Sequence, residues 1–330
     1  MAGYKNSKAS FAEQFIPQKG DSKQELVRKI VTIVAAVVLV AALAVLAGRF
    51  VQYVRTQKLI DEQRDKHTTE MTVISHTTVP PETETTVTET EPPPLVMLEN
   101  MEQFVEQNPD TAGWLTVANT NIDNIVLQTT DNDYYMDKDF YGNRNIAGQI
   151  FVDYRCNIND YNDKQSDNII IYGHNQADGT MFGTLKKYKI KKQSTGNFSF
   201  YKDNPTFKFS NLYEEYTYKI IAIFVIEVEP RHTRDGVIFD YHNYVKFAGE
   251  RNFDKFKENI LKRTAVNTGV DFDENDKFMT LSTCSNEFEP SRLVVIGRRV
   301  RDGESPEVDT SKAEINEDML EPDYAFIYGR

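Results

Sequence analysis

Nineteen consecutive residues, Ile30 to Gly48 (IVTIVAAVVLVAALAVLAG), contain one polar side chain, Thr32. As a helix such a run spans roughly 28 Å, the thickness of a bilayer's hydrocarbon core. It exceeds the apolar region of a cleaved signal peptide and starts 29 residues into the chain, so it reads as an uncleaved anchor. Lys19, Lys23, Arg28 and Lys29 precede it and Arg49, Arg55, Lys58, Arg64 and Lys66 follow it, so flanking charge does not orient it. The next segment does. Thr68 to Pro94 holds ten Thr, five Glu, five Pro and no Lys or Arg. It cannot bury enough apolar surface to offset its ordering entropy, and it reads as an extended stalk of a kind commoner outside cells. The chain therefore divides into a cytoplasmic segment 1–29, a transmembrane anchor 30–48, a stalk 49–94, a folded body 95–302 and an acidic tail 303–330, with the body extracytoplasmic at the cell membrane.

A net charge of −12 argues against nucleic acid as a partner, since phosphate needs a basic surface. Two cysteines in 330 residues exclude a disulfide-rich scaffold and a multi-cysteine zinc site. Acidic runs such as Asp271–Asp276 lack EF-hand spacing and read as a solvated loop, and no cofactor motif is evident.

The body opens with a helical pattern, Leu98, Met101, Phe104 and Val105, ended by Asn108-Pro109. Strand-like runs follow at Trp114–Val117, Ile122–Leu127, Gln149–Asp153, Asn168–Tyr172, Thr206–Phe209, Tyr216–Glu229, Lys277–Thr283 and Leu293–Val300. Helices are expected at Met181–Tyr188 and Asn252–Leu261. The fold class is mostly β, a barrel with a few helices.

Cys284 ends the run Phe278-Met-Thr-Leu-Ser-Thr-Cys and faces a polar loop, a position from which a thiol can react. Cys156 reads as a buried, inert thiol, and sequence leaves a Cys156–Cys284 disulfide open. A cysteine nucleophile needs a base and an oxyanion donor. His67 and His76 fall in the stalk, while His232 and His242 sit in loops. His174 follows the strand Ile169–Tyr172 through Gly173, which presents its imidazole at a rim.

Thr280-Leu-Ser-Thr-Cys284, with Arg292 eight residues on opening an apolar strand, resembles the TLxTC…R signature of sortases. Asn168–His174 resembles that family's histidine strand. Phe182–Tyr188, Asp131–Phe140 and the long insertion at about 230–275 resemble class B members. The resemblance covers about 96–301. It implies a membrane-anchored cysteine transpeptidase of Gram-positive bacteria on a sortase-like β-barrel. Cys284 would attack the Thr carbonyl of a C-terminal sorting motif on a surface protein. His174 would protonate the leaving amine and deprotonate the incoming one. Arg292, with a backbone N–H near Ser285, would steady the oxyanion. The acceptor would be an amine of a peptidoglycan precursor or, in a pilin polymerase, a pilin lysine. Asn132, Met136, Ser282 and Ser285 match substrate-binding positions. Some class B members carry an acidic residue just after the cysteine; here Ser285 and Asn286 stand there, and the nearest carboxylate is Glu287.

Two other readings use the same residues. A cysteine peptidase would give water the second step, and a stalked binding module would keep Cys284 as structure. Within the transpeptidase reading, antiparallel pairing of the last two strands puts Arg292 opposite Cys284 and Arg298 opposite Phe278. Arg298 and Arg299 then lie away from the thiol and read as solvated.

Overall fold

The computed structural model describes residues 14–74, 96–158, 165–190, 195–234 and 236–329. The first long element, α1 (Lys23–Ile74), is apolar and long enough to cross a membrane, and none of its apolar window is buried inside the protein. The helix does not stop at Gly48, as the stalk reading expects. No proline interrupts 49–74, and a Glu62–Lys66 pair at 3.0 Å supports the helix at i,i+4 spacing. Ile60, Gln63 and His67 recur on one buried face of it. His67, placed by sequence in a floppy segment, stacks on Trp114 at 4.0 Å and bonds Asn100 at 3.1 Å. Residues 75–94 of the expected stalk, including His76, lie outside the described residues.

Eight strands close a barrel. They are β1 (Thr111–Thr116), β2 (Asp123–Leu127), β3 (Ile150–Val152), β4 (Asn168–Tyr172), β5 (Thr206–Ser210), β6 (Glu215–Glu227), β8 (Phe278–Cys284) and β9 (Ser291–Arg299), in the order β1-β2-β3-β4-β8-β9-β6-β5. Each matches a strand expected from sequence to within a few residues. A separate two-stranded ribbon pairs β7 (Val266–Asn267) with β10 (Glu314–Ile315).

Alternation sorts the side chains of β8 and β9. Met279, Leu281, Leu293 and Val295 fill the barrel interior, whereas Phe278, Val294 and Ile296 point outward. That outer face is covered by α4 (Phe253–Arg263), whose Phe253, Phe256 and Ile260 fall at helical spacing. Burial of each of these side chains contributes roughly 2 kcal/mol. The helix starts where the Asn252 side chain accepts from the Lys255 N–H at 3.0 Å. At the opposite wall α2 (Glu99–Gln107) lays Met101 and Phe104 against Trp114, Ile125 and Phe151.

Three sequence readings differ from the structure. Met181–Tyr188 is not a full helix; only Leu185–Tyr188 forms a tight 3₁₀ turn, because Asn175 and Met181 bridge first. A helix not foreseen, α3 (Thr195–Asp203), follows, its aromatic residues packing on the barrel. Residues 303–329 are not loose. Met319 is buried, β10 joins β7, and a short helix α5 (Tyr324–Ile327) forms. The acidic 271–276 segment is a mostly exposed loop, as expected, with Arg301 bonded to Asp271 and to the buried Asp276.

Candidate active site

Three neighbouring strand ends place three chemistry-bearing residues in a row. The parallel strands β4 and β8 run in register from Asn168 opposite Phe278 to Tyr172 opposite Ser282. The same offset carries His174 level with Cys284. The extension past β4 is held by Gly173 N–H to Ser282 O at 3.3 Å, Thr283 Oγ1 to Gly173 O at 2.7 Å, and Asn175 Nδ2 to Cys284 O at 2.8 Å. On the other side the antiparallel β8–β9 pairing puts Arg292 opposite Cys284 and Arg298 opposite Phe278, the register expected from sequence. With strands about 4.8 Å apart, His174 and Arg292 flank the thiol on adjacent strands.

The row forms one wall of a groove of about 160 Å³. Asn132, Met136 and Ser282 also line it, together with Phe151, Tyr172 and Thr283, which sequence reading missed. Ser285 does not. It is buried beyond Cys284 with its hydroxyl 2.6 Å from Ser291 Oγ. Its backbone N–H donates to Ser291 O at 3.1 Å and closes the β8–β9 turn.

Cys284 is half-buried and carries a free thiol. Cys156 is also free but buried, and burial pushes its thiol up to about 12. It accepts from the Ile170 N–H, which fixes it within the core. The two sulfurs form no disulfide.

The His174 Nε2 donates to Met136 O at 2.7 Å, which leaves Nδ1 as the nitrogen free to exchange a proton. Two glycines make this geometry possible. A Cβ on Gly148, at φ +60°, would lie 2.7 Å from the Tyr135 and Met136 carbonyl oxygens and 3.0 Å from the His174 ring; one on Gly173 would meet Phe182 at 2.8 Å. Arg292 is half-exposed and donates to Ser291 O at 3.1 Å. Among the described residues no carboxylate pairs with it.

The groove floor is braced by a buried carboxylate. Asp153 accepts from Asn132 Nδ2 at 3.1 Å and Tyr172 OH at 3.0 Å, and pairs with Arg155 at 2.7 Å. Burial alone would raise its pKa, but the Arg155 guanidinium and these donors hold the carboxyl below its usual range. Tyr241, from the 230–275 insertion, sits 2.7 Å from Ser282 Oγ, and burial pushes its phenol up to about 12. Asp153 had a sequence signal: it follows β3 directly, and β3 pairs Phe151 with Tyr172. Tyr241 had none, because its partner lies forty-one residues away on another element. Glu287, the carboxylate nearest the thiol in sequence, is turned to Lys189 at 2.9 Å and to the Tyr324 hydroxyl.

Comparison with known proteins identifies the family of the chain. Residues 115–300 match the sortase domain family. Sortase B of Listeria monocytogenes is 34% identical over 195 residues, 58% of this chain and 71% of the relative. Sortase B of Staphylococcus aureus is 26% identical over 202 residues, 61% of this chain and 74% of the relative. The structure of a Staphylococcus aureus sortase B–substrate complex superposes with a TM-score of 0.58 at 22% identity, covering 75% of this chain and 97% of that one. A cysteine, a histidine and an arginine level on three strand ends of such a barrel suit acyl transfer, and the chain belongs to the sortase family of cysteine transpeptidases, on its class B branch.

Proposed function

We propose that Cys284 is the nucleophile of a membrane-anchored transpeptidase acting on sorting signals of surface proteins. The observation that carries this is the level placement of His174, Cys284 and Arg292 along one groove wall. The Cys284 thiol gives its proton to His174, and its sulfur attacks the Thr carbonyl of an extended sorting motif lying in the groove over Asn132, Met136 and Ser282. Negative charge that develops on the carbonyl oxygen meets the Arg292 guanidinium, whose planar fork offers paired donors. The C–N bond breaks as His174 gives a proton to the leaving amine, and a thioester remains on Cys284. An amine of a cell-wall precursor then attacks the thioester, the C–S bond breaks, and His174 takes the amine's proton and passes it to the departing sulfur, which restores the thiol. The apolar part of α1 holds the body at the outer surface of the membrane as a single-pass anchor.

The test is a purified 57–330 protein incubated with a sorting peptide and a small amine. Amide product formed by wild type, and by neither Cys284→Ala nor His174→Ala, is the expected outcome. Hydrolysis alone, unchanged by added amine, would make the protein a peptidase. Activity in Cys284→Ala would end the assignment.

A further inference from the structure

The loop 285–291 joins the proposed nucleophile to the proposed oxyanion arginine, and it is gripped from outside the barrel. Residues 303–329, which lie beyond the segment matching the sortase domain, first run along the α4 side of the body. Asn316 N–H donates to Ala265 O at 3.0 Å and Leu320 N–H to Lys262 O at 2.7 Å. Arg234 of the insertion holds Asp323 at 2.5 Å and lies 5.2 Å over the Phe326 ring. The segment then reaches the loop. The Tyr324 hydroxyl donates to Glu287 Oε2, the Tyr328 hydroxyl donates to the Glu287 carbonyl, and the Tyr324 ring stands edge-on to Phe288 at 6.0 Å. Lys189 completes the grip from the barrel side, 2.9 Å from Glu287 and 2.9 Å from Ser285 O.

We infer that Tyr324 and Tyr328 are positioning residues that clasp the loop 285–291 and so fix the spacing of Cys284 and Arg292. The inference rests on the roles given to those two residues above. The clasp bridges space instead of resting on a packed core: a cavity of about 390 Å³ lies under it, walled by Glu287 on the loop side and by Tyr324 and Tyr328 on the other. The contacts around that cavity therefore matter individually. The loop turns at Asn286, at φ 59°, a left-handed conformation that asparagine takes up more readily than other non-glycine residues. A small displacement at a reacting centre is costly in rate, since the thiol and the oxyanion donor must meet one carbonyl together. The turn of Glu287 toward the clasp also accounts for a carboxylate so near the nucleophile having no place in the groove.

The double variant Tyr324→Phe/Tyr328→Phe removes both hydroxyls and keeps both rings, so the cavity wall and the Phe288 contact survive. Hydrogen exchange reads the clasp without any substrate. Amides of 285–291 are expected to exchange about tenfold faster, with α4 and β1–β2 unchanged, as befits loss of two hydrogen bonds from a local structural unit. In the peptide assay kcat is expected to fall about tenfold, with KM within twofold and the melting temperature nearly constant. Unchanged exchange in the loop overturns the clasp whatever the enzyme's substrate proves to be. Faster exchange with unchanged kcat overturns the positioning role. A kcat loss accompanied by an equal loss of folded protein makes the tyrosines merely structural. Failure of the wild type to form amide product, with the exchange result as expected, would strike the proposed function instead and remove the basis for the catalytic part of the inference.

Discussion

Arg292 and Arg298 stand on the same face of β9, six residues apart, opposite the two ends of β8. At the far end Arg298 is completely buried, with its guanidinium on Glu304 at 2.5 and 2.8 Å and on the Arg299 carbonyl at 3.1 Å. Lys219 reaches the same carboxylate at 2.5 Å. At the groove end Arg292 is half-exposed and donates to one backbone carbonyl. One residue type on one strand thus serves two ends differently. A buried guanidinium needs a paired carboxylate or the fold loses several kcal/mol, and here Glu304 holds both terminal nitrogens while the buried Nε has no hydrogen-bond partner among the described residues. A rim guanidinium can keep donors turned to whatever occupies the groove. The sequence reading of Arg298 as solvated was therefore wrong, although its register was right.

The comparison breaks most directly at Arg292. Arg292→Lys keeps the charge but loses the planar fork, and kcat for peptide cleavage is expected to drop about 100-fold or more. Its melting temperature should stay within about 2 °C, since the side chain carries no buried pair. Steady-state kinetics beside a thermal melt decides this. An Arg292→Lys enzyme with normal kcat would remove the arginine from the reaction.

The second effect falls on stability at the other end. Arg298→Lys keeps a cation near Glu304 but cannot make both bonds, and loss of a charged hydrogen bond in a buried setting costs about 2 kcal/mol. For a domain of this size that corresponds to roughly 4–8 °C in melting temperature. The kcat per folded molecule should be within about threefold of wild type. A large kcat loss without a thermal shift would make the two arginines functionally alike and dissolve the contrast.

What was legible in the sequence follows from the same contrast. The strands, the β8–β9 register and the row of His174, Cys284 and Arg292 rest on short-range alternation and on local motifs, which a linear text carries well. The grip of Glu304 on Arg298 depends on the chain doubling back at Gly303, at φ +74°. The Asp302-Gly303 pair is itself a turn signal, passed over because the segment was read as a tail. His67 stacked on Trp114, Tyr241 under Ser282 and Tyr324 on Glu287 join residues between thirty-seven and forty-seven positions apart, and no local pattern announces them. The helix beyond Gly48 has a related cause: its buried residues Ile60, Gln63 and His67 take their partners from far along the chain, as His67 does on Trp114.

A third expected effect separates the two ends by pH. The Arg298 and Lys219 bonds hold the Glu304 carboxyl well below its ordinary range in the folded protein, despite partial burial that works against ionisation. In the unfolded chain it titrates near its usual value of about 4.3. The unfolded state therefore binds more protons as pH falls through that value, so this contribution is fully present above about pH 5 and is lost as pH falls further. Urea melts of wild type and Glu304→Gln should differ clearly at pH 7 and by less at pH 3. A difference that persists unchanged at pH 3 would show that the carboxylate's charge is not what holds Arg298.

The smallest effect is expected at Arg299, which sharpens the contrast by sitting on the opposite face from both. Its guanidinium lies 4.6 Å over the Tyr216 ring and its Nη1 is 3.3 Å from Gln165 Oε1. Neither partner belongs to the groove. A partly exposed cation–π contact is worth about 0.5–1 kcal/mol, and a lysine retains the charge while stacking less well. Arg299→Lys should therefore lower the melting temperature by no more than about 3 °C and leave kcat within about twofold. Of the three arginine-to-lysine changes it should be the mildest in kcat, and milder than Arg298→Lys in melting temperature. If instead Arg299→Lys rivals Arg292→Lys in kcat, face and register no longer predict which arginine the reaction uses, and the alignment of Arg292 with Cys284 loses its explanatory force.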